Sequence, residues 1–123
     1  DAEPDNPRFD SDELKERPTA YGGNYIIIDH GNGEFSWFGH LQQGSVQVKP
    51  GQRVTQGQAI ARAGASGSSL FPHLHYELRT GAGVRGVEGL PSEFTQFRRL
   101  LGTTPVDVER GTVNSGEIVQ SRR

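Results

Sequence analysis

Apolar residues in this chain come in short runs separated by glycine and polar turns, and never in a long one. Residues 25–28 (Tyr-Ile-Ile-Ile) are aromatic and β-branched, which predicts a buried strand. Gly31-Asn32-Gly33 follows. Asn and Gly tolerate positive φ, so this is a hairpin signal. Residues 35–41 (Phe-Ser-Trp-Phe-Gly-His-Leu) return as a second strand. Further strands are predicted at 46–48, ended by Pro50-Gly51, at 59–63, entered through Gly57, and at 73–78, where His73-Leu74-His75-Tyr76-Glu77-Leu78 alternates cleanly. Between 48 and 61 the chain reads V-x-P-G-x-x-V-x-x-G-x-x-I-A, a faint repeat in which glycine turns the chain twice. Many short strands joined at glycines imply a mainly β fold, an antiparallel sheet or sandwich with glycine-rich hairpins.

The pattern changes at both ends. Residues 1–20 carry seven acids, three bases and three prolines, a net −4, and read as an acidic polar arm or loop. Residues 21–101 form the expected β domain. Within it, residues 91–101 place Phe94, Phe97, Leu100 and Leu101 at helical spacing. Ser92 is a candidate N-cap, and Arg98-Arg99 lie late, as the helix dipole favours. One short C-terminal helix ended by Gly102 is therefore expected. Residues 102–123 read as a polar tail with one edge strand at 117–119.

Composition narrows the options. The length of 123 residues allows one domain. Fourteen of the 17 glycines fall between Gly22 and Gly89, where the hairpins are predicted. No apolar run approaches the ~20 residues of a membrane-spanning helix. The absence of cysteine removes disulfides and thiolate metal sites. A net charge of −2 argues against a nucleic-acid surface. The chain opens on Asp1, without Met or a signal-peptide pattern, so a processed, trimmed or partial domain is expected.

All four histidines lie between residues 30 and 75. His73 and His75 are two apart on a predicted strand and so share a face. One imidazole of such a pair can hold a metal while the other does acid–base work beside it; a pair of surface histidines is the plainer alternative. Ser36, Phe38 and His40 share a face by the same period, and His40 joins the pair if the two strands are neighbours. His30 sits at the hairpin and is read as a turn residue.

Gly23-Asn24-Tyr25-Ile26-Ile27-Ile28-Asp29-His30-Gly31-Asn32-Gly33, Phe38-Gly39-His40-Leu41, the glycine-valine pattern of 48–61, Ser66-Gly67-Ser68-Ser69 and Pro72-His73-Leu74-His75-Tyr76-Glu77-Leu78 together resemble the lysostaphin/LytM-type zinc metallopeptidases. Members of that family mostly cleave peptide cross-links of bacterial cell walls. The resemblance runs unbroken over about residues 22–79. It implies Zn2+ as cofactor, peptidoglycan cross-link peptides as substrate and an extracytoplasmic location in bacteria. It places His75 on the metal, His73 on the attacking water, and His40 at the oxyanion or the substrate.

The family's other two zinc ligands come from an H-x-x-x-D motif upstream, and no such motif occurs in this sequence. The expectation is an incomplete peptidase domain, inactive by itself. The alternative is a degenerate module that binds the cell wall or activates another hydrolase. A biotinyl or lipoyl carrier, suggested by the glycine-valine turns, needs a lysine at a hairpin tip. Neither Lys15 nor Lys49 has that setting.

Overall fold

A computed structural model describes residues 21–122. The acidic arm expected at 1–20 lies outside the described residues. The chain divides into two units, Asp1–Leu90 and Pro91–Arg123.

The first unit holds a four-stranded antiparallel sheet in the order β1-β2-β3-β4. Its strands are β1 (Asn24–Asp29), β2 (Phe35–Leu41), β3 (His75–Arg79) and β4 (Gly89–Leu90). The β1–β2 hairpin forms where the Gly-Asn-Gly turn predicts it. Gly31 and Gly33 have φ of 78° and 81°, and Asp29 Oδ1 accepts the Gly31 N–H at 2.7 Å. Pairing then fixes which side chains share a face. Ile27 opposes Trp37, and Trp37 opposes Glu77 while Gly39 opposes His75. Ile26, Phe38 and Tyr76 fall on the opposite face, where the Phe38 and Tyr76 rings meet at 5.4 Å.

One irregularity matters for the site. The β1–β2 register shifts between Asn24 and Ile26: Asn24 pairs with Leu41, but Ile26 pairs with Phe38. β2 therefore carries one extra residue, a bulge over Gly39–His40, and His40 adopts a left-handed φ of 56°. Bulges bend a strand and re-aim a side chain.

Two strand expectations are corrected. Residues 46–48 and 59–63 form no ladder. Gln47 N–H reaches Ile60 O and Gln42 N–H reaches Arg62 O, and Ala63 makes a single bridge to Leu41. Positive-φ turns at Gly51 and Gly57 and the missing N–H of Pro50 keep these segments from a continuous ladder. The strand expected from His73 begins at His75. His73 is held just before it, in an isolated bridge to Gly64.

The second unit is a three-stranded antiparallel sheet in the order β6-β5-β7, with β5 (Phe94–Leu101), β6 (Thr104–Gly111) and β7 (Ile118–Ser121). The helix expected at 91–101 is thus a strand, and the described residues contain no α-helix. Leu101 pairs with Thr104, so Gly102-Thr103 is a two-residue hairpin loop with Gly102 at φ 63°. A positive-φ glycine ends a helix or opens such a hairpin equally well. The segment that follows decides between them: Val106 and Val108 alternate with polar neighbours and pair along β5. Residues 102–123, read as a polar tail, carry β6 as well as β7, the latter close to the edge strand expected at 117–119.

Candidate functional site

His40, His73 and His75 come together in the first unit. The His40 ring lies 4.7 Å from His73 and 5.6 Å from His75, centroid to centroid. Strict alternation would put His40 on the Phe38 face, away from His75. The bulge reverses this and turns the ring toward β3, so His40 lines the same cleft as His75. His30 stays apart: its Nε2 is hydrogen-bonded to Ser36 Oγ at 2.7 Å, at the other end of the hairpin.

Each of the three imidazoles is fixed by an acceptor that carries no proton. His40 Nδ1–H donates to Ser66 O at 2.7 Å. His73 Nδ1–H donates to Phe71 O at 2.9 Å, with Ser69 Oγ 3.1 Å away. His75 Nε2–H donates to Glu77 Oε1 at 2.6 Å. Every ring therefore keeps one nitrogen with a bare lone pair, able to take a proton or a metal ion. Burial holds the His40 imidazole below its ordinary pKa; the Ser66 carbonyl opposes this, and the neighbouring His73 and His75 add to it. His40 is thus neutral at neutral pH.

The cleft, about 310 Å3, is lined on the sheet face by Tyr25, Trp37, His40, His75, Glu77 and Arg79. Trp37 organises it. The indole stacks on Tyr25 at 5.9 Å, takes the His75 edge at 5.3 Å and lies under the Arg79 guanidinium at 4.8 Å. The backbone is bare on either side: a Cβ at Gly22 or Gly39 would come within 2.4 or 2.5 Å of the indole. A second cleft of about 880 Å3 lies between β1 and residues 46–54, but of the four histidines it holds only His30. Of the two, the smaller one is lined by His40 and His75.

Ser66 supports this arrangement from beneath. It is fully buried. Its Oγ accepts the Asn24 N–H at 3.1 Å and donates to Leu41 O at 2.6 Å, while its carbonyl orients His40. Ser66→Ala leaves the Asn24 N–H without that acceptor, a buried loss of about 1–3 kcal/mol. For a unit of this size the thermal midpoint is expected to fall by on the order of 10 °C. Calorimetry checks this, and an unchanged midpoint would remove Ser66 from the framework.

The sequence reading singled out His40, His73 and His75; it had Ser66 and Glu77 only as members of the motifs that carry the resemblance, and it gave no role to Trp37 or Arg79. The signal for Glu77 and Arg79 was present: they stand two and four residues after His75 on a strand, hence on its face. Arg79 Nε donates to Glu77 Oε2 at 2.6 Å. That hydrogen bond holds the Glu77 carboxyl below the usual carboxylate range, against burial and with help from His75. The supporting role of Ser66 carried no signal beyond its place in the Ser66-Gly67-Ser68-Ser69 segment, because its partners are 42 and 25 residues away.

Among the described residues no three His, Cys, Asp or Glu side chains are arranged to hold a metal ion. The imidazoles are donors of a kind that suits zinc, but the described residues do not by themselves make a zinc site.

Comparison with known proteins bears on this cleft. Residues 13–87 match peptidase family M23. The chain is 47% identical over 62 residues to the peptidoglycan DD-endopeptidase ShyA of Vibrio cholerae, covering 50% of this chain and 14% of that protein. It is 46% identical over 84 residues to ShyC of the same organism, a protein of the same description, covering 67% of this chain and 18% of that one. The murein hydrolase activator EnvC of Escherichia coli is 39% identical over 57 residues, 46% of this chain and 13% of that protein. The chain thus spans less than a fifth of the length of these relatives. No solved structure matches it.

Proposed function

The chain belongs to peptidase family M23, and from that membership we propose that it is the histidine-bearing part of a zinc metalloendopeptidase domain that cleaves peptide bonds in bacterial peptidoglycan, outside the cytoplasm. One observation carries the reading: three imidazoles, each with a bare nitrogen, cluster together, His40 and His75 lining one aromatic-lined cleft and His73 lying 4.7 Å from His40. The relatives named as peptidoglycan endopeptidases support the substrate class.

In this reading His75 Nδ1 is the one zinc ligand that the described residues supply. Zinc, when bound, lowers the pKa of its water and polarises the scissile carbonyl. His73 Nε2 receives the proton of the attacking water. His40 accepts an N–H of the substrate peptide and so orients it. Of the two roles the resemblance offers, this one suits a neutral ring whose only proton is already donated to Ser66.

The 123-residue chain is expected to be inactive alone, because one imidazole does not hold a catalytic zinc. Metal analysis and peptidoglycan digestion test this, using the chain and the full product of its gene. The full product is expected to bind zinc stoichiometrically and to release cross-link peptides, and the short chain to do neither. A full product with neither zinc nor cleavage would sink the proposal. It would favour the second reading, a non-catalytic activating module, which the likeness to a murein hydrolase activator supports.

A further inference from the structure

His75, Glu77 and Arg79 project from one face of β3, and they are joined in series. His75 Nε2–H donates to Glu77 Oε1, and Arg79 Nε donates to the other carboxylate oxygen, both at 2.6 Å. Arg79 is the most enclosed of the three, its side chain 14% exposed against 41% for His75 and 36% for Glu77. It is fixed from two more directions, by the Trp37 ring at 4.8 Å and by the Gly83 carbonyl at 3.4 Å. The rigid member of the series is therefore the arginine. Glu77 transmits its position to a half-exposed imidazole.

We propose that Glu77 is a positioning residue that locks His75 in the Nε2–H tautomer, with Nδ1 left bare for the cleft, and that Arg79 anchors Glu77 in that role. The physical reason is specific to His75. His40 and His73 are held through Nδ1 by backbone carbonyls, which leaves Nε2 free on both. Of these three, only His75 is held through Nε2, and by a side chain. A carboxylate can only accept, so the Nε2 position must carry the proton. A carboxylate behind an imidazole also orients the ring and raises its basicity as a ligand. Without Glu77 the two neutral tautomers of an exposed imidazole interconvert freely, and the bare nitrogen is no longer assigned.

The use of the bare nitrogen rests on the peptidase reading above, but the tautomer does not, and it is measured without metal or turnover. Long-range 1H–15N correlation spectra of the 15N-labelled 123-residue chain, at about pH 8 and above the ordinary imidazole pKa, resolve protonated from bare ring nitrogens. His75 is expected to show a protonated Nε2 and a bare Nδ1, with His40 and His73 showing the opposite pattern in the same spectrum. Glu77→Ala is expected to draw the two His75 nitrogen shifts toward their average and to leave the other rings unchanged. Glu77→Gln, which keeps one acceptor oxygen, is expected to restore part of the separation. A wild-type His75 protonated on Nδ1, or with no preference, overturns the inference whether or not any variant folds. A folded Glu77→Ala chain with the wild-type His75 pattern overturns it equally. Zinc content and cleavage by the full gene product decide the peptidase reading separately.

Discussion

Gly67→Ala is expected to remove about 2–5 kcal/mol from the stability of the first unit. Gly67 has φ 71°, and a Cβ built on it would stand 2.3 Å from the Gly23 nitrogen and 2.6 Å from the Tyr21 carbonyl oxygen. Both contacts are backbone, so no side chain can swing aside. The left-handed conformation costs a non-glycine residue about 1–2 kcal/mol, and forced overpacking adds about 1–3 kcal/mol. Together these approach the lower end of the about 5–15 kcal/mol that stabilises an ordinary domain. Gly31→Ala is the control. Its φ of 78° is similar, but nothing lies within 4 Å of the added methyl, so only the conformational cost is expected. Urea unfolding of the two variants separates the terms. Equal losses would mean that the close approach of Gly67 to Gly23 contributes nothing.

The second large effect concerns activity. In the full gene product, His75→Ala is expected to lose zinc and cleavage together. His73→Ala is expected to keep zinc and to lose roughly 10²–10⁴-fold in turnover, the usual worth of a general base. The difference follows from the roles proposed for the two rings. His75 is backed by a carboxylate, one of the partners that metal-binding imidazoles take. His73 is backed by a neutral carbonyl beside Ser69. Zinc content by emission spectrometry, measured beside turnover, checks the pair. Equal loss of zinc in both variants would reverse or merge the assignments.

The parts of the fold that local pattern controls were legible in the sequence. The β1–β2 hairpin has both its strands and its turn written in consecutive residues, and its second strand falls on the expected residues. β5 was misread because its own spacing is ambiguous, and only pairing with β6 and β7 on both sides decides it. The site divides the same way. His75 follows from the period of its strand. His40 was expected in the cleft if its strand neighboured that of His75, which it does; alternation alone would still turn the ring away, and a bulge that leaves no mark in the residue pattern brings it back. Ser66 lies beyond any local pattern, because what gives it meaning is the backbone of β1 and β2, folded around it from far along the chain.

The surroundings of Trp37 have an optical consequence. It is the chain's single tryptophan, and it touches Tyr25, His75 and Arg79 in the wall of the cleft. Intrinsic emission excited in the indole band therefore originates from the candidate site alone. Occupancy of the cleft, or loosening of its wall, can be followed by fluorescence without a label and at concentrations where the chain is dilute.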